Sequence, residues 1–363
     1  MATVNGSTNC KIPLQRYKKI PVYANYLLKN LQILIFFRNF VGKIGVMETK
    51  DLYKAAESRY DNQAMYAFCG RSGVQLPKLS LGMWHNFGSV DPYERSRAIT
   101  HYAFDHGITH FDLANNYGPV YGSAEETMGR LMDDSFRPYR DELFISTKAG
   151  YDMWQGPYGN GGSRKYLMAS IDQSLRRMHL DYVDLFYSHR YDPNTPIEET
   201  LQALVDIVRA GKALYIGISN WPLEQLRKGY EYLAERDVPL LIYQGKLNRL
   251  YTEHIDSGLL DFCREKGVGF IAFSPLAQGL LTDRYINGIP ADSRMAKGKF
   301  LRAEQLTDEV RAKVAEVRVE AAERKISTAQ RALGWILEQQ GVTSVLVGAS
   351  SVEQLQDNLM VVC

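Results

Sequence analysis

The chain has 363 residues, 45% of them hydrophobic and 23% charged, a balance that suits a globular protein with a large buried core and excludes a disordered or fibrous chain. Its formal net charge is +2, yet seven of the 43 basic residues lie in residues 1–46, which hold no Asp or Glu. The other 36 face 41 acidic residues, a balance of −5 that argues against nucleic acid as a partner.

Residues 1–46 form a basic leader. Its uninterrupted apolar run, Ile33 to Phe37, is far shorter than the roughly 20 residues of a spanning helix, so no membrane span is expected. The leader reads first as a nonessential or disordered extension ahead of Met47, with a targeting segment or a folded extension as alternatives. Residues 47–64 read as a linker. Cys10, Cys69, Cys263 and Cys363 stand far apart with no C-x-x-C pair, so neither a disulfide framework nor a metal site is expected, and the thiols read as those of a cytoplasmic protein.

From Met65 a regular rhythm begins. "MYAF" and "GRSGVQLP" predict a short N-terminal β-hairpin. Eight compact apolar runs follow: "LSLGMW" (79–84), "THFDLA" (109–114), "LFISTKAG" (143–150), "YVDLFYSHR" (182–190), "ALYIGISN" (213–220), "LLIYQ" (240–244), "GFIAFSPLA" (269–277) and "SVLVGAS" (344–350). Helical spacing fills the intervals, as in residues 92–107, 165–180, 196–212 and 224–237, with Pro or acids opening several of these segments and Gly or a base closing them. Strands alternating with helices imply parallel strands joined by helical crossovers. Eight such units in residues 65–363 predict an α/β fold, a (β/α)8 TIM barrel. A doubly wound open sheet is the alternative, weakened because no G-x-G-x-x-G follows any run.

In a barrel the C-terminal ends of the strands meet on one rim, where active sites are built. The second run ends in Asp112 with Tyr117 just beyond, the third in Lys148 and the fourth in His189. Taken singly, Asp112 suits a turn, Tyr117 a barrel mouth and His189 a helix approach. Lys148 is harder to set aside, because a lysine within an apolar strand needs a partner, and Asp112 on the neighbouring strand is available. Together the four suit reduction of a carbonyl. Tyr117 would protonate the nascent alkoxide, Lys148 would lower the phenol's pKa, Asp112 would keep the amine protonated, and His189 would donate a hydrogen bond to the same oxygen.

With these residues the chain resembles the aldo-keto reductases over nearly all of residues 65–360, and Asp112, Tyr117, Lys148 and His189 match that family's tetrad. "LSLGMWHNFG", "THFDLANNYGP", "STKAGYDMWQGPYGNGGSRKYL", "YSHRYDPNTPIEET", "GKALYIGISN" and "FSPLAQGLLTDRY" are similar to the branch of bacterial glyceraldehyde-3-phosphate and methylglyoxal reductases and potassium-channel β subunits. The resemblance implies NADPH/NADP+ as cofactor. Trp84 and Asp112 would lie near the nicotinamide, Ser219, Asn220 and Gln244 would hold its carboxamide, and Phe273 would stack on the ring. Ser274, Pro275, Leu276, Ala277, Gln278 and Gly279 would wrap the pyrophosphate. Arg284, Arg294, Ser350, Gln354 and Asn358 would surround the adenosine and its 2′-phosphate. It also implies a small aldehyde or ketone as substrate, with a cofactor-sensing interaction subunit as the alternative role; a homo-oligomer stays open. Two departures stand out: residues 246–251 lack the expected aromatic pattern, and the chain stops at Cys363, so the last helix is expected to be short and the C-terminus truncated.

The segment 150–167 combines Gly156, Gly159, Gly161 and Gly162 with Tyr151, Trp154 and Tyr158, and reads as a lid, with a disordered insertion as the alternative. Arg190 and Arg164 could bring positive charge to the rim or sit in surface salt bridges. Short polar or phosphorylated aldehydes are the expected substrates.

Overall fold

The computed structural model describes residues 53–363 apart from Asn287, Asp292, Ser293, Lys299, Phe300 and Cys363, and without the side chains of Arg294, Lys297 and Ala303. The leader and residues 47–52 lie outside the described residues. Strands β1 (Tyr66–Phe68) and β2 (Gln75–Pro77) pair antiparallel as the predicted hairpin, with Tyr66 opposite Pro77. Eight parallel strands then close a barrel: β3 (Leu79–Gly82), β4 (His110–Asp112), β5 (Phe144–Ala149), β6 (Val183–Ser188), β7 (Ala213–Ser219), β8 (Leu240–Lys246), β9 (Gly269–Phe273) and β10 (Val342–Val347). Closure is made by β10 against β3, with Val345 opposite Leu79.

Every predicted run contributes one strand, because strands covered on both faces read as continuous Val, Ile, Leu and aromatic stretches. Several boundaries differ from expectation, two of them most plainly. The sixth strand runs on to Lys246, and the seventh stops at Phe273, since Ser274 takes a left-handed φ of 53° that no strand accommodates.

The hairpin lies across the N-terminal end of the barrel. Arg71 N donates to Gly267 O (2.9 Å), and Gly70 has φ 57°; a Cβ there would lie 2.0 Å from Gly267 O, so this turn requires glycine. Cys69 and Leu76 of the hairpin join Leu185, Tyr187, Ile271 and Leu346 in a small apolar cluster. The larger core lies between the strands and the surrounding helices. Helix Ile197–Arg209 shows how such a helix is specified. Pro196 precedes it, Glu198 and Glu199 face its positive end, Arg209 closes it, and Leu201, Leu204, Val205 and Ile207 are buried. Each of these side chains contributes about 1.5–3 kcal/mol of burial. Leu204→Ala would cost roughly 2–5 kcal/mol through transfer and cavity terms. The last helix, Val352–Leu359, is short, as expected, and Ser351 caps it by accepting from Gln354 N. Among the described residues no helix is long and apolar enough to cross a membrane.

Candidate active site

β4 and β5 lie in register with Asp112 opposite Ser146, so Asp112 and Lys148 reach the same end of the sheet. They form an ion pair that is almost wholly closed to solvent. Lys148 Nζ also donates to Leu113 O (2.7 Å) and lies 3.5 Å from the Tyr117 hydroxyl. Tyr117 is carried by the turn after β4. Its N–H bonds Ala114 O (3.0 Å), Gly118 turns the chain with φ 88°, and Ala124 N bonds back to Tyr117 O (3.3 Å) as helix Ser123–Leu131 begins. Glu125 locks that helix to β5, accepting from Thr147 Oγ1 (2.5 Å) and from Arg177 Nε (2.7 Å). His189 follows β6; its ring meets Tyr117 edge-on at 5.9 Å and Tyr151 at 4.7 Å between centroids. Its Nδ1 is buried with no hydrogen-bond partner among the described residues.

The four residues read from the strand ends therefore do meet. The electrostatics differ from expectation in one respect. Tyr117 is half-buried at the rim, and desolvation raises its pKa well above that of a free phenol, with the Asp112 carboxylate adding to this. The direction is set by desolvation and then by Asp112 and Tyr151, not by the expected lowering from Lys148. Burial lowers the pKa of Lys148 as well, opposed by the attraction of Asp112. His189 is held neutral, chiefly by burial and then by the charges of Lys148 and Arg190. The phenol thus holds its proton, the imidazole is uncharged, and Asp112 opposes the desolvation of the amine.

The residues implied for a cofactor follow the C-terminal ends of β3 and β7 to β10. Trp84 lies after β3, its ring 6.2 Å from that of Tyr117. Ser219 and Gln244 are opposite each other on β7 and β8, and both are buried. Gln244 Nε2 donates to Asp112 Oδ1 (3.0 Å), while Asn220, at φ 53°, donates to His189 O (3.1 Å) and Ser219 Oγ (3.0 Å). Phe273 ends β9. Beyond it Ser274, Ala277, Gln278 and Gly279 all have positive φ, from 45° to 95°, with Pro275 and Leu276 between them. Three left-handed non-glycine residues in so short a stretch cost about 1–3 kcal/mol each, and such turns form concave arrays of N–H groups that suit anions. Arg284 lies in the turn Asp283–Tyr285. Ser350 and Gln354 bond each other (3.0 Å), and Asn358 is buried with its Nδ2 unpartnered among the described residues. The side chain of Arg294 is outside the described residues. The left-handed turn and the orphaned Asn358 amide fit a phosphate-bearing, base-bearing cofactor.

The segment 150–167 is pinned by Tyr166 Oη to Tyr151 O (2.5 Å), Gly162 N to Asp192 Oδ2 (2.8 Å) and Arg190 Nη2 to Asn160 Oδ1 (2.6 Å), a pattern unlike a disordered insertion. Arg190 Nε also donates to Gly150 O (2.8 Å), and Arg164 is ion-paired with Asp206, so the salt-bridge alternative describes Arg164. In the departing stretch 246–251, Lys246 Nζ lies 4.5 Å above the Tyr251 ring and Arg249 pairs with Glu320 (2.8 Å).

Sequence reasoning missed His110, Ser146 and Glu125, which support the tetrad from beneath and beside it. A signal was present: His110 and Asp112, like Ser146 and Lys148, are polar residues two apart in apolar strands, so each pair shares one face.

A barrel bearing this rim defines an oxidoreductase of carbonyl groups. The chain belongs to the aldo/keto reductase family, whose model matches residues 78–362. It is 56% identical over 312 residues, 85% of this chain and 90% of the relative, to L-glyceraldehyde 3-phosphate reductase of Escherichia coli O157:H7. It is 35% identical over 304 residues, 82% of this chain and 90% of the relative, to a probable voltage-gated potassium channel subunit beta of Arabidopsis thaliana. A probable subunit of the same kind from Oryza sativa subsp. japonica is 35% identical over 301 residues, 81% of this chain and 90% of the relative.

Proposed function

We propose that this chain is a cytoplasmic, NADPH-dependent reductase of short polar aldehydes, with L-glyceraldehyde 3-phosphate as the leading substrate and methylglyoxal as a second. The observation that carries this reading is the Tyr117 hydroxyl 3.5 Å from Lys148 Nζ, over a closed ion pair with Asp112. The 56% identity to a reductase of that substrate supports the substrate class.

A bound dinucleotide would supply hydride to the carbonyl carbon. Tyr117 gives its proton to the carbonyl oxygen, and the resulting phenolate is stabilised by the Lys148 ammonium until a proton returns. Neutral His189 donates one ring N–H to the same oxygen and orients it. Ser219, Asn220 and Gln244 would hold the carboxamide, Trp84 would lie near the nicotinamide, Phe273 would stack on the ring, and the N–H groups of Ser274–Gly279 would receive the pyrophosphate. Arg284, Arg294, Ser350, Gln354 and Asn358 would hold the adenosine end, the arginines supplying charge-assisted hydrogen bonds to the 2′-phosphate.

The test is NADPH oxidation by the full chain with L-glyceraldehyde 3-phosphate, methylglyoxal and a large aromatic ketone, compared as kcat/KM. The phosphorylated aldehyde is expected to lead. Preference for the aromatic ketone would sink the substrate assignment, and tight NADPH binding without turnover would favour a channel-subunit-like binding role.

A further inference from the structure

Beneath the tetrad a polar chain crosses the barrel interior. Ser344 Oγ donates to Pro77 O (2.6 Å), Ser80 Oγ lies 2.6 Å from Ser344 Oγ, and His110 Nδ1 lies 2.9 Å from Ser80 Oγ. His110 Nε2 then lies 3.0 Å from Ser146 Oγ, which is 2.8 Å from Asp112 Oδ1. Ser80, His110, Ser146 and Ser344 are wholly buried.

Pro77 O can only accept, so Ser344 donates there. With that proton committed, Ser80 is the hydroxyl that can supply a proton to the 2.6 Å contact between the two serines, and it then accepts from His110 Nδ1. This order makes His110 the Nδ1–H tautomer; the opposite order, Nε2–H, would leave two hydroxyl oxygens 2.6 Å apart with no proton between them. Burial pushes its pKa down to about 4, so near neutral pH the imidazole is uncharged and Nε2 is bare. At the other end the ion-paired carboxylate of Asp112 also accepts. Ser146, with a single proton, stands between two acceptors, and these five contacts share four protons.

We propose that His110 is a positioning residue for carbonyl reduction: its bare Nε2 competes with Asp112 for the Ser146 proton and so sets the negative charge that Asp112 presents to Lys148, and through it to Tyr117. This rests on Tyr117 as the proton donor. When Ser146 turns to Asp112, the carboxylate is partly neutralised and holds the ammonium less firmly; when it turns to His110, Asp112 holds it more firmly. Asp112 and Lys148 are the charged groups acting on His110, Glu125 acts on Lys148 and Tyr151 on Tyr117. The substitutions below leave all of these in place.

In His110→Asn the amide can still donate to Ser80, while Ser146 is released to Asp112. The alkaline limb of the kcat/KM profile should move to lower pH by about one pH unit, a roughly tenfold change in acid constant, as expected for one hydrogen bond to a charged group. Ser146→Ala should move the limb the opposite way. Adding His110→Asn to Ser146→Ala should move it no further, because the contested proton is gone. Glyceraldehyde serves as the common substrate, and NADPH affinity should hold in every variant. An equal displacement from His110→Asn with and without Ser146 overturns the proposal. A second readout uses neither cofactor nor turnover: nitrogen NMR of the histidine rings in the wild-type chain, with His110 assigned by loss of its signals in His110→Asn or His110→Gln. Protonated Nδ1 with bare Nε2 is expected, and protonated Nε2 overturns the proposal even if the variants misfold. A wild-type chain that reduces no aldehyde would defeat the proposed function, while the ring measurement would still test the proton order.

Discussion

Acidification should destabilise this barrel through His110, and the size of the effect follows from its burial. In the unfolded chain the ring titrates near 6.5. In the fold desolvation pushes it down to about 4. Between those values the unfolded state binds the extra proton and the native state does not, so stability is intact above pH 6.5 and falls as pH drops toward 4. Each tenfold difference in acid constant between the two states is worth about 1.36 kcal/mol, so the loss is roughly 2 kcal/mol at pH 5 and about 3 kcal/mol once pH reaches the folded value. The perturbation is a change from pH 7 to pH 5, applied to the wild type and to His110→Asn and read as free energies from urea unfolding. His101, also pushed down to about 4, and His189 contribute equally to both proteins and cancel, as do the carboxylates. The wild type should lose about 2 kcal/mol more than the variant. Equal losses would mean that the ring is charged in the fold or solvated, and burial would then not set its protonation.

Three further outcomes are expected. Tyr117→Phe should lower kcat by about 100-fold or more while NADPH affinity, measured by fluorescence, is retained; wild-type turnover would remove Tyr117 from the acid role. Arg294→Ala should weaken NADPH by about tenfold and leave NADH nearly unchanged, as loss of a charge-assisted bond to the 2′-phosphate requires, and equal losses for the two cofactors would place Arg294 elsewhere. Gly118→Ala should lower kcat by about tenfold even where the protein stays folded by circular dichroism, since a modest displacement of a catalytic group is that costly. Gly118 has φ 88°, and a Cβ would lie 2.3 Å from Ser123 Oγ and 3.0 Å from Ala124 N, so unchanged turnover would show that the Tyr117 turn can move harmlessly.

The barrel was legible in the sequence because its strands are buried on both faces, and eight apolar runs separated by helical spacing admit few other arrangements. The tetrad was legible for a related reason. Polar residues that end apolar runs stand out, and parallel topology brings all such ends to one rim. Properties that depend on closure were hidden. Whether Tyr117 becomes a weaker or a stronger acid depends on how much protein surrounds one hydroxyl. Ser80 and Ser344 are unremarkable small strand residues until β10 is placed beside β3. In Ser274–Gly279 only the glycine signals a left-handed backbone, whereas Ser274, Ala277 and Gln278 adopt it under tertiary constraint.

The pairing of β10 with β3 also bears on how the protein is made. Strands from opposite ends of the described chain must meet, and contacts so distant in sequence slow folding because loop closure precedes any gain from them. During synthesis β3 to β9 emerge first as an open sheet, with one bare edge on β3 and another on β9. Such edges are templates for pairing with other chains, and a partly made barrel exposes the apolar faces that closure later hides. The last strand is therefore also a seal, and cells that slow translation before residue 342 should accumulate this protein with chaperones or in aggregates.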